Sequence, residues 1–471
     1  MIRVIADKEF KDCIRDGRFR AVAAAMILLL AASLIHSVRG YSAAQAERDS
    51  ARAANQRQFG EQGRKNPHGA AHFGFYIFKP TPALGALDPG VEPWMGATLW
   101  LEAHKQNDFI FRPAHDRGVS MRFGELTPAF LLQTLMPLLI VFLSFGSIAS
   151  ERESGTLKQI LAQGNSAVHL AWGKWLGLAR AMGLILVPAV LCAAGMMMSM
   201  SPPGEVASSA LRFILWLAAY GVYLSTFLAA SIAVSAVCSS ARMACVAGLI
   251  LWGLTVLVIP RTASAVARRV APAPSAVEFA ATVRKEMGGH HDAAMTERFK
   301  LAAFQKYGVS RIEDLPGAFS GIELIEGERA GDAVFDRRYG ELDAIMNRQT
   351  RIRTVFGLVS PMLAVREISQ GLSETNYSAH RDFASAGERY RREYIQFLNE
   401  DILKNARRDL LWDADYTGSS ELWKSVPVFT YRQPGLSSIA RRQILSAGVL
   451  LAGLALASGA LHLSASRIRP A

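Results

Sequence analysis

Six apolar runs of about twenty residues interrupt this chain, at 20–38, 127–148, 177–200, 209–237, 243–260 and 443–465. Runs of that length have few destinations. About 30 Å of hydrocarbon takes about 20 helical residues at a rise of about 1.5 Å each. In that medium a helix satisfies its own backbone N–H and C=O groups, which an open strand cannot do. The pattern therefore predicts six transmembrane helices. The overall figures of 51% hydrophobic and 20% charged residues average two unlike kinds of segment. The runs are nearly uncharged, while the blocks 39–126 and 261–440 are as polar as a soluble domain.

Six crossings put both termini on one side, and lysine and arginine in short flanks set which side. Arg3, Lys8, Lys11, Arg15, Arg18 and Arg20 precede the first run. Arg152, Lys158, Lys174 and Arg180 lie around the 149–176 link, Arg242 in the link after the fourth run, and Arg467 and Arg469 in the tail 466–471. The turn 201–208 has no lysine or arginine. Both termini are expected in the cytoplasm, with the two long blocks outside. Residues 1–19 alternate basic and apolar positions (Val4, Ile5, Phe10, Cys13 and Ile14 among Lys8, Lys11 and Arg15), as an interfacial helix does. No small-x-small cleavage site follows 20–38, so that run is expected to remain as a span.

The long blocks carry folding signals. Helical periodicity marks 277–307, 321–356 and 381–410, where Phe383, Tyr390, Tyr394, Phe397 and Ile402 give one apolar face. Residues 73–78 and 426–431 read as strands. The expected fold class is an α-helical polytopic membrane protein with six transmembrane helices and a large extracytoplasmic α+β domain.

The net charge of +12 is spread along the chain with no recognition motif, so membrane lipid and not nucleic acid is the expected anionic partner. The four cysteines, Cys13, Cys192, Cys238 and Cys245, supply no disulfide framework and no cysteine metal site. His68 and His72 are four apart, with His104 and His115 in the same block and His290, His291 and Asp292 in the other. Pro67 and Gly69 argue against a regular helix there, and the reading is structural or surface histidines with no metal site. Neither H-E-x-x-H nor G-x-S-x-G occurs, which leaves a hydrolase without a motif. The runs hold no carboxylate of a proton relay, and Arg180 and Arg212 lie near run ends, where they can snorkel to the interface.

The most distinctive motif is Ser150-Glu151-Arg152-Glu153-Ser154-Gly155-Thr156-Leu157-Lys158, directly after the second run. Ser150 and Glu153 have capping-box spacing, and a short charged helix is expected before Gly173-Lys174 and the third run. This arrangement resembles the permease subunits of ABC-2-type ATP-binding cassette transporters. Asn66–Gly74, Leu87–Pro93, Leu101–Gln106 and Ser360-Pro361 are similar to the outer segments of one subfamily, the DUF3526 type, with a large extracytoplasmic domain.

The resemblance implies a permease subunit of a bacterial inner membrane, working with a separate ABC ATPase subunit and a second permease subunit. It would export or extrude an unidentified, lipid-like substrate. Glu151, Arg152, Glu153, Gly155 and Thr156 would form the coupling segment, with no catalytic and no cofactor-binding residue in this chain. No Walker A loop is present: Gly173-Lys174 is followed by Trp175, and Val168 stands where the first glycine belongs. ATP and Mg2+ are thus expected on the partner. The alternative reading is a membrane-anchored scaffold or mechanosignalling subunit whose outer domain binds an envelope partner without moving cargo.

Overall fold

A computed structural model of the chain describes residues 1–116, 126–288 and 293–468. Among the described residues the protein is predominantly helical. Asp16 separates α1 (Ile2–Arg15) from α2 (Gly17–Gly60), and its carboxylate caps α2 by accepting from the Arg18 N–H at 2.8 Å. A short helix, α3 (Pro67–Phe73), leads into the antiparallel ribbon β1 (Phe75–Phe78) and β2 (Thr98–Leu101), with Phe75 opposite Leu101. Next come α4 (Pro128–Glu153), α5 (Thr156–Ala162), α6 (Ala167–Met200), α7 (Val206–Val237) and α8 (Ala241–Val270). Then follow α9 (Ala276–Met287), α10 (Ala293–Tyr307), α11 (Phe319–Val355), α12 (Pro361–Leu372), α13 (Tyr377–Asn405) and α14 (Leu436–Ser466). Six of these, α2, α4, α6, α7, α8 and α14, are long and apolar enough to cross a membrane.

Each of the six covers one apolar run to within a residue and overshoots it at one end or both. α2 continues as a charged helix because tertiary bonds hold its far half: the Tyr41 hydroxyl donates to Thr81 O at 2.6 Å, and Asn55 Nδ2 to Tyr76 O at 3.3 Å. α8 runs straight through Pro260, where the sequence reading ended the span. Proline removes a backbone N–H and crowds the preceding turn, and the helix widens to π geometry over Gly253–Val258 to accommodate it. Thr255 O, five residues before Pro260, accepts from the Ser360 hydroxyl at 2.5 Å. α4 repeats the device: it is π-helical over Leu131–Leu135, and Gln133 O, four residues before Pro137, accepts from the Tyr223 hydroxyl at 2.6 Å. Neighbouring hydroxyls thus satisfy carbonyls that an apolar medium would leave stranded.

α4 and α7 bury 61% and 56% of their most apolar stretch, against 28% for α2, α6 and α8. α4 and α7 are therefore the centre of the bundle. The outer helices leave apolar stripes exposed, such as Leu184, Val187 and Leu191 on α6.

The two polar blocks share one core at a single end of the bundle. Ile77, Leu99 and Leu101 of the ribbon pack with Phe383, Tyr394 and Leu398 of α13. Gly387 permits that approach, since a Cβ there would sit 2.7 Å from Ile77 Cδ1. This body is helical around one two-stranded ribbon, so among the described residues its strand content is small. Residues 426–431, expected as a strand, form no ladder. They lie against α13, where Phe429 and Tyr431 meet the Phe383 ring edge-on at 5.8 and 5.1 Å. The alternation read there reflects packing on a helix face, with no strand partner.

The body grips the tips where α4, α7 and α14 begin. Ala129 N–H donates to Leu87 O at 3.1 Å, Arg212 pairs with Glu374 at 2.5 Å, and Arg442 pairs with Asp382 at 2.5 Å. The other end of the bundle carries α1, the α4–α5 junction and the α7–α8 link.

Candidate coupling site

The Glu151–Thr156 motif closes the end of α4, and Ser150 is not its cap. The last turn, Ala149–Glu153, starts after Ile148 with no side-chain cap of its own. The Ser150 N–H already bonds to Gly146 O at 3.0 Å. Ser235 of α7 does the capping across the bundle: its hydroxyl oxygen accepts from the N–H groups of Ile148 at 3.0 Å and Ala149 at 3.1 Å, and donates to Phe145 O at 2.6 Å. A capping box on Ser150 would need its own N–H free for Glu153, but that N–H is spent on Gly146 O, and the Arg152 N–H is bonded to Ile148 O at 3.0 Å.

The three charged residues then reach three different elements. Glu151 lies 2.8 Å from the buried Lys174 ammonium of α6, which also pairs at 2.8 Å with Glu9 of α1. Arg152 donates to the C-terminal carbonyls of α7, Ala236 O at 2.6 Å and Cys238 O. Glu153 accepts from the Ala241 N–H at 3.1 Å, at the start of α8. Both of the latter contacts place charge where a helix dipole favours it, a cation at a C-terminus and an anion at an N-terminus. α1 is held against α6 by small residues: a Cβ on Gly173 would meet Ile5 Cβ at 2.6 Å, and one on Gly177 would meet Ala6 O at 2.8 Å.

Gly155 breaks the segment. It adopts φ +78°, with no heavy atom near the position of a Cβ, so only the backbone conformation demands glycine. Thr156 closes the bend through its hydroxyl, 2.9 Å from the Ser154 hydroxyl. α5 follows, with Leu157 buried beneath it. Beside the bend lies an open cleft lined by Arg152, Lys158, Leu161, Val237, Leu463 and Arg467. The motif therefore joins the spans α4, α6, α7 and α8, and reaches α2 through α1 and α6, which both pack against it.

The model of the ABC-2 family transporter proteins matches residues 3–376. The chain belongs to that family. No curated protein matches it. An ABC-2 family protein is the membrane component of an ABC transporter and works with an ABC ATPase subunit. The matched residues include all but the first residue of α1, all of the motif and five of the six spanning helices.

Other polar groups sit where the sequence did not place them. Arg212 does not snorkel outward: it is buried with Glu374, also buried, which comes from the loop between α12 and α13 and completes the pair. Asp88 reaches the mouth of the bundle, where the Ser369 hydroxyl donates to its carboxylate at 2.5 Å and Trp216 Nε1–H donates to Ser369 at 2.7 Å. Burial pushes the Asp88 carboxyl above its usual range, against the Ser369 bond. Asp88 belongs to the Leu87–Pro93 segment already singled out, but nothing local marks Arg212, Trp216, Ser369 or Glu374, because their partners lie far away in the chain.

The histidines also depart from expectation. Residues 67–73 are helical, since Pro67 occupies the first helical turn, where its missing N–H costs nothing, and Asn66 caps it through His68 N–H at 2.9 Å. His68 and His72 therefore share a helix face, and His104 joins them. An Asn-Pro cap followed by histidines four apart was the available signal. His290, His291 and Asp292 lie outside the described residues, as do the side chain of His115 and Arg469.

Proposed function

We propose that this chain is the permease subunit of an ABC-2-type exporter. The 149–162 segment would receive the stroke of a separate ATPase, and both termini would face the cytoplasm of a bacterial inner membrane. One observation carries this reading. Glu151, Arg152 and Glu153 are consecutive, yet each is bonded to a different helix, so displacing this one turn loads four spans at once. The cleft beside it is open and holds Arg152, Lys158 and Arg467, a basic floor for an acidic partner surface. ATP and Mg2+ would stay on the ATPase, a second permease subunit would complete the route, and the polar body would lie outside the membrane as in the DUF3526 type. The exposed apolar stripes on α6 and α8 suit lipid or a lipid-like cargo.

The test is reconstitution of the chain with its ATPase in lipid vesicles. Glu151→Ala with Glu153→Ala should lower the thermal unfolding midpoint only modestly, because the buried Lys174 keeps Glu9 as a partner. Permease-stimulated ATP turnover should fall by about fivefold or more, as loss of an inter-site coupling of about 1 kcal/mol or more would give. Stimulation at the wild-type level in a correctly inserted double variant would sink the assignment.

A further inference from the structure

On α3, His68 and His72 point to the same place as His104, which follows β2. His68 Nε2 lies 3.1 Å from His72 Nε2 and 3.3 Å from His104 Nε2. An aromatic nitrogen carries one in-plane proton or one lone pair. Hydrogen bonding can therefore use only one of these two contacts, whereas a shared cation uses both. Zinc–nitrogen bonds of about 2.0–2.1 Å at a tetrahedral angle separate two ligand nitrogens by about 3.3 Å. The spacing fits that edge.

The surroundings hold the three rings in place. Ala103 N–H donates to Ala71 O at 3.1 Å, and the Tyr394 hydroxyl donates to Leu101 O at 3.0 Å, which tie the His104 turn to α3 and α13. His104 itself has φ +63°, an uncommon conformation for a residue with a Cβ. Its Nδ1 lies 2.7 Å from Glu328 Oε1, and its backbone N–H donates to the same oxygen at 2.9 Å. Glu328 is in turn held by Arg391 at 3.0 Å. A carboxylate on Nδ1 fixes the proton there and turns the Nε2 lone pair toward the other rings. Metal-ligating histidines are oriented in this way.

We infer that His68, His72 and His104 form a zinc site on the polar body, with Glu328 as the positioning carboxylate of His104. Three imidazoles select a borderline divalent ion over Mg2+ or Ca2+. His68 is buried and His72 exposed, so the fourth coordination position faces solvent and is left for water or an outside ligand. This inference is independent of the coupling proposal, and its test needs no ATPase.

Tag-free, full-length protein in detergent, dialysed against EDTA, is titrated with Zn2+ by calorimetry. One Zn2+ per chain is expected, with binding lost in His72→Ala and in His104→Gln while the far-ultraviolet circular dichroism is unchanged. His72 is exposed, so its variant has little folding role to lose. Glu328→Gln should retain the site but weaken it by about 10–100-fold, the usual effect of removing such a partner. Co2+ in place of Zn2+ should give the intense visible absorption of a tetrahedral ion, absent in the two histidine variants. No binding, binding that persists in both histidine variants, or a weak octahedral Co2+ spectrum would each overturn the site.

Discussion

The two ends of the spanning bundle are fastened by charge in different ways. At the polar-body end Arg212 and Glu374 are both buried, 6% and 4% exposed, and Lys79 donates to Glu374 O at 2.7 Å from inside the body. At the α1 end a buried lysine, Lys174, is shared between Glu9 and Glu151, which keep 16% and 15% of their surfaces in contact with the outside. The first arrangement tolerates no missing member. The second lies beside a glycine bend and an open cleft. One end is thus a closed clamp, and the other an open junction, where under the proposed function an ATPase would push.

The sharpest way to break this comparison is to remove one cation at each end. Arg212→Ala should cost about 3–5 kcal/mol, because it leaves Glu374 buried and uncompensated. Lys174→Met should cost about 1–3 kcal/mol, since its two carboxylates can still reach water. Thermal unfolding of both variants in one detergent decides it, and equal losses would erase the distinction.

Acid should loosen the clamp. His380 is buried between Asn376 O and Gly96 O, each 3.1 Å from a ring nitrogen. Burial, aided by the nearby Lys79 ammonium and opposed by Glu92, lowers its pKa from 6.5 to about 4. The folded ring therefore stays neutral where the unfolded ring takes a proton. Its stabilising effect is complete above pH 6.5 and is lost as the pH falls toward 4, to a total of about 3 kcal/mol. His380→Gln should flatten the unfolding free energy across that window relative to the wild type, and an unchanged slope would remove His380 from the account.

The smallest expected effect sharpens the other side. Gly155→Ala meets no atom, yet places a Cβ at φ +78°. It should cost only about 1 kcal/mol in stability while reducing permease-stimulated ATP turnover, if the bend transmits the stroke. A loss of stability alone would leave the bend as a simple turn.

Much of the bundle was legible in the sequence, and the reason is local: hydropathy is a property of consecutive residues, so each apolar run lies, to within a residue, inside one spanning helix. The helix ends were less legible. α8 passes Pro260 because Ser360 is there to take up Thr255 O, and α2 continues to Gly60 because Thr81 and Tyr76 accept from it. The motif residues were visible, but what they hold was not. Ser150 looked like a cap, and Ser235 is the cap.

The sequence by itself determined the number of spans, the membrane character, the lack of an ATP-binding loop and the residues of the α4–α5 junction. Each of these depends on residues close together in the chain. Tertiary structure alone decided the polar partners. Glu9 meets Lys174 across 165 positions, Lys79 meets Glu374 across 295, and His104 joins His68 across 36. A buried charge must find a partner or leave the low-dielectric interior. Which partner it finds is set by how the helices pack, not by any pattern along the chain.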